Sequence, residues 1–213
     1  MTTATALHDA ANAAWLRAIA KHGWRDVSVD SAAALSGMSA EALIALAGDK
    51  FDAVAAFHDR LSQEAAKGAA VPGSARDRLF DGLMRAFDVL QEHRDAVLAL
   101  WNSRDPGLAI MILGRSRARL RRLAGAAGVQ SDGWRGELRL AVLAGIIAKT
   151  FATWRADDSA DMAATMSELD HLLARAERVE TEGMSPNLLG VPGLRACSDL
   201  VESPASETHA EKQ

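Results

Sequence analysis

The sequence has no tyrosine, a single cysteine and only five prolines in 213 residues. With Cys197 alone there can be no internal disulfide framework and no thiolate metal cluster. His8, His22, His58, His93, His171 and His209 form no i, i+4 pair and no HExxH, so no metal is expected. There is also no GxSxG, no glycine-rich phosphate loop and no Ser/His/Asp set that local sequence brings together. An enzyme is therefore not expected, nor is a cofactor. The longest apolar run, near residues 138–151, is interrupted by Arg139 and Lys149. It falls short of the roughly twenty residues a bilayer span needs, so no stable membrane insertion is expected. The N-terminus lacks a basic region followed by an apolar core, and the expected location is cytoplasmic.

What the chain does have is alanine, few β-branched runs, 49% hydrophobic and 24% charged residues, the profile of an all-α globular protein. Apolar residues at helical spacing predict nine helices. The first spans 5–21, with Leu7, Ala11, Ala14, Trp15, Ala18 and Ile19 inward, and ends at Gly23. The fourth starts after Asp49 and carries Phe51, Val54, Phe57, His58 and Leu61 as its inner stripe. Pro72-Gly73 breaks the chain, and Ser74 caps a helix over 76–93. Helices over 94–101 and from Pro106 follow, the latter closing on Arg115, Arg117, Arg119, Arg121 and Arg122, read as a solvated helix end. The helix over 134–155 is apolar on nearly every face, which predicts burial by neighbours or by a partner subunit. Asp157, Asp158, Ser159 and Asp161 mark the start of a last helix over 162–178, and the pattern then dissolves into a polar tail.

The motif that carries function is VSVDSAAALSGMSAEALIALAGDKFDAV, residues 27–54: two short apolar helices joined at Gly37, with Ser39 as cap of the second. This is a helix-turn-helix pattern. Its spacing, with His22-Gly23-Trp24, Gly37-Met38-Ser39 and Asp49-Lys50 at the key points, resembles the TetR family of regulators. Trp154, Asp157-Asp158-Ser159, Asp161, Thr165, Leu169-Asp170 and Leu173 resemble the C-terminal signature of a subgroup, and also the TetR-fold lipid-binding proteins of ubiquinone biosynthesis.

The resemblance implies an all-α, TetR-like architecture: a helix-turn-helix domain over 1–68, a ligand-binding and dimerisation domain over 74–180, and a disordered tail over 181–213. It also implies a homodimer formed by the last two helices, whose Gly145 and Ala148 allow close approach. DNA contact would fall to Ser28, Ser39, Ala40, Glu41, Ala42 and Lys50. A small apolar ligand would lie among Met84, Phe87, Trp101, Met111, Leu143, Ile147 and Phe151. The function so implied is a repressor released from DNA by that ligand. The alternative is a lipid or isoprenoid-quinone binding accessory protein without DNA binding. Two features of the residues bear on the choice. The second motif helix has Ile44, Leu46 and Ala47 where the family usually places aromatic and cationic residues, and residues 1–68 hold six Lys and Arg against eight Asp and Glu.

Overall fold

The computed structural model describes residues 2–182. The tail reading of 183–213, Cys197 included, lies outside the described residues. Among those described there are helices and no strands: α1 (Thr2–Asp26), α2 (Val29–Ser36), α3 (Ala40–Ala47), α4 (Lys50–Ala69), α5 (Ala75–Glu92), α6 (Arg94–Ser103), α7 (Pro106–Ala126), α8 (Gly133–Ala156) and α9 (Ala163–Glu182). The described residues up to Leu173 pack as one compact unit. Residues from Ala174 onward belong to another, of which the described part is the last turns of α9. No single described helix is long and apolar enough to cross a membrane.

Most helix starts follow from short-range chemistry. Ser28, Ser39, Ser74 and Asp105 each accept a hydrogen bond from the backbone N–H three residues on, and Asp49 accepts from Phe51 and Asp52. Each satisfies donors that the first helical turn leaves open. Gly23 (φ 79°) interrupts α1, and Gly37 (φ 71°) takes the left-handed conformation that ends α2. The start of α9 is capped from farther away: the Asp157 carboxylate accepts from the backbone and hydroxyl of Thr165 at 2.9 and 2.8 Å, and from Ser159. These bonds, the Ser159 hydroxyl first, hold the Asp157 carboxyl well below the usual carboxylate range.

One core joins the motif to the helices behind it. Ile19, Leu43, Val54 and Trp154 are fully buried in it, with Trp15, Trp24, Phe57 and Phe87. Each such side chain contributes about 1.5–3 kcal/mol of apolar transfer. Arg94, at the first turn of α6, donates to the carbonyls of Trp154 and Arg155 at 2.9 and 3.1 Å, closing the C-terminus of α8. Its guanidinium also lies 4.8 Å from the Trp154 ring centre, while the Trp154 indole donates to Gln91.

Three expectations are corrected. Leu7 and Phe51, read as inward, are exposed: Leu7 lies in the first turns of α1, where neighbouring side chains are exposed too, and Phe51 meets the Trp24 ring edge-on at 4.9 Å. Of the α7 arginines, read as a solvated helix end, Arg115, Arg117, Arg121 and Arg122 are exposed, but the helix runs on to Ala126 and Arg119 turns inward. Arg117 and Arg121 both bond Glu137 of α8 at 2.6 Å, whereas Arg119 is largely buried against Asp59 of α4.

Candidate functional site

The motif helices α2 and α3 meet at 96° across the Gly37 turn. Helix α3 sends Leu43 and Ala47 into the core and turns Glu41, Ala42, Ile44 and Ala45 outward, with Ile44 51% exposed. Two backbone anchors hold its C-terminal end. The Gly48 N–H donates to the Ile44 carbonyl at 2.8 Å, and His8 Nδ1 of α1 donates to the Leu46 carbonyl at 2.6 Å. His8 was missed by sequence reasoning, since 38 residues of separation leave no local signal.

Of the residues expected at DNA, Ser28, Ser39, Glu41 and Ala42 are exposed and Ala40 is half-buried. The hydroxyl oxygens of Ser28 and Ser39 accept from Ser31 and Ala42, which leaves each O–H as a donor. Lys50 is half-buried and has a partner within the chain. Its Nζ donates to the Trp24 carbonyl at 2.9 Å and lies 4.6 Å from the Trp24 ring centre, so it ties α4 to the end of α1.

The seven residues expected at a ligand are brought together only in part. Met84, Phe87, Met111 and Phe151 share the main core, and Trp101 packs edge-on to Phe151 at 5.5 Å under the Arg155 guanidinium. Phe87 and Leu143 are buried, Met84, Met111, Ile147 and Phe151 half-buried, and Trp101 exposed. Two open surface concavities lie elsewhere. One is lined by Gln63, Ala66, Lys67, Ala70 and Arg122, the other by residues of the α1 end and α6, and none of the seven lines either.

Helix α8 buries Leu140, Leu143, Ile146, Thr150 and Trp154 on one side. On the other it exposes Trp134 (73%), Leu138 (49%) and Val142 (45%), followed by Gly145, Ala148 and Ala152 at helical spacing.

Between α4 and α7, burial and the Arg119 charge push His58 down to about 4, against a smaller opposing effect of Asp59. This histidine is therefore a neutral part of the helix seam at neutral pH. Among the described residues, no group of three or more His, Cys, Asp or Glu side chains is arranged to hold a metal ion.

An all-α chain with a helix-turn-helix at its start and a long apolar helix exposed near its end defines a fold. Among solved structures, the chain is similar to the TetR transcriptional regulator from Nitrosomonas europaea ATCC 19718, with a TM-score of 0.67 and 20% identity, over 80% of this chain and 97% of that one. The chain thus has the TetR fold. No protein-family model matches the sequence, and no curated protein does.

Proposed function

We propose that the chain is a dimeric, DNA-binding transcriptional regulator that responds to a small apolar ligand. The observation that carries this reading is the outward face of α3, the second helix of a motif whose first helix crosses it at 96°. Such a helix enters the major groove while the flanking elements hold the backbone. In this reading the Ser28 and Ser39 hydroxyls and the α3 N-terminus at Ala40 meet phosphates, and Glu41 and Ala42 face bases. Lys50 adds a further phosphate contact through the donors that Trp24 does not use.

Dimerisation completes the reader. The outer stripe of α8, with Trp134, Leu138 and Val142 around the small Gly145 and Ala148, pairs with its two-fold copy alongside α9. Two α3 helices then stand about 34 Å apart, one turn of DNA. Ligand enters among Met84, Phe87, Trp101, Met111, Leu143, Ile147 and Phe151 by separating α5, α7 and α8. Because α4 packs on both α5 and α7, that separation moves the motif and changes the spacing. In this division of labour residues 1–68 read DNA and residues 74–180 bind ligand and partner.

The test is fluorescence anisotropy with DNA from the gene's own upstream region across a salt series. Binding that weakens log-linearly with salt supports the proposal, and absence of binding even at low salt sinks it. A second reading, an apolar-lipid carrier without DNA affinity, draws on the acidic balance of residues 1–68 and on the tie of Lys50 to Trp24. It is tested by organic extraction and mass spectrometry of the purified protein, where a stoichiometric lipid is expected.

A further inference from the structure

The outward face of α3 has an unusual chemical content for a helix that reads bases. Between Ala40 and Ala47 there is no Arg, Lys, His, Asn, Gln, Ser or Thr, so no side chain of this helix can donate a hydrogen bond. Glu41 only accepts, and the rest of the face is the methyls of Ala42 and Ala45 and the branched chain of Ile44. The orientation is fixed, since Leu43 and Ala47 are buried behind it and His8 and Gly48 hold its last turn.

The major groove presents acceptors at guanine N7 and O6 and at adenine N7, which this face leaves unpaired. It also presents the thymine methyl, which needs only apolar contact, and the cytosine amine, which a carboxylate can accept. We propose that α3 selects DNA through thymine methyl groups, with Ala42, Ile44 and Ala45 as the specificity-determining side chains. This rests on the DNA-binding reading of the same motif. The alternative occupant, another protein, fits less well. Four outward side chains, two of them alanine, on a helix of eight residues form a patch far smaller than the roughly 800 Å² per partner of a stable protein interface.

The experiment selects duplexes from a random pool with the full chain. It then resynthesises the enriched duplex with deoxyuridine replacing thymidine at one position at a time, which removes a methyl and nothing else. The expected result is a loss of about fourfold in affinity at each contacted thymine, the equivalent of one buried methyl group. In Ile44→Ala, whose side chain is exposed and whose fold is checked by circular dichroism, the loss at one of those positions should disappear. Equal affinity for thymidine and deoxyuridine at every position overturns methyl readout while leaving DNA binding in place. A pool that yields no enriched duplex at low salt overturns both. If Ile44→Ala does not fold, the wild-type comparison of the two bases decides alone.

Discussion

The seam between α4 and α5 and the outer face of α8 are both built on small residues, yet only one is covered among the described residues. At the seam, a Cβ on Gly82 would sit 2.5 Å from the Ala65 carbonyl oxygen and one on Gly68 would sit 2.7 Å from the Asp81 carbonyl oxygen. The two helices approach as closely as backbone allows, and glycine is what lets them. On α8, a Cβ on Gly145 would meet nothing within 4 Å, and Val142, Ala148 and Lys149 beside it on that face are exposed. The same composition is therefore spent in one place and unspent in the other. An unspent close-approach face flanked by Trp134, Leu138 and Val142 is what a second copy of the chain would cover.

The largest effect is expected from breaking the open face. Leu138→Glu with Val142→Glu should raise the dimer dissociation constant by about 100-fold or more, because two side chains worth about 1.5–3 kcal/mol each when buried become charged. Sedimentation velocity measures this, and a wild type that is already monomeric at micromolar concentration would remove the α8 interface from the account. Gly145→Arg is the cleaner companion, since a Cβ there meets nothing within 4 Å and the position is exposed: self-association should be lost with the fold intact by circular dichroism.

Next in size is the pH response of the closed α4–α7 seam. His58 is held neutral down to about 4 in the folded protein, while in the unfolded chain it takes a proton near 6.5. The unfolded state therefore binds more protons across that interval, and stability falls as pH drops from 6.5 toward 4. His58→Gln should flatten this part of a denaturation-versus-pH curve, and an unchanged slope would mean that the seam opens to water.

Gly82→Ala should then destabilise by about 1–3 kcal/mol through overpacking, despite the better helix propensity of alanine. Urea denaturation checks it. The mirror case is the smallest effect: Gly145→Ala should stabilise by up to about 1 kcal/mol, because propensity acts there without a clash. If both substitutions shift stability in the same direction, the contrast between the two faces is wrong.

Helix boundaries were legible because their causes are local. Ser28, Ser39, Ser74 and Asp105 cap within three residues of their own position, and Gly23 and Gly37 stop helices by their own dihedral freedom. The motif and its Ser39 cap were readable for the same reason. What the contacts do with the functional residues was not. For Lys50 the family resemblance implies a DNA contact, and nothing nearby in sequence signals the Trp24 carbonyl 26 residues back. Leu7 fitted the helical period, but a period says which side chains align and not whether anything packs against their end of the helix.

Sequence by itself determined an all-α chain with a helix-turn-helix over residues 27–54, since caps, turn glycines and apolar spacing act over one or two helical turns. Tertiary structure alone decided which apolar faces close and which stay open. It sent Arg119 to Asp59 and Arg117 to Glu137 from one turn of one helix, tied His8 to the end of α3, and gave Gly82 a crowded place and Gly145 an empty one. These outcomes depend on pairing between elements tens of residues apart, where a side chain's environment is set by whichever helix arrives opposite it.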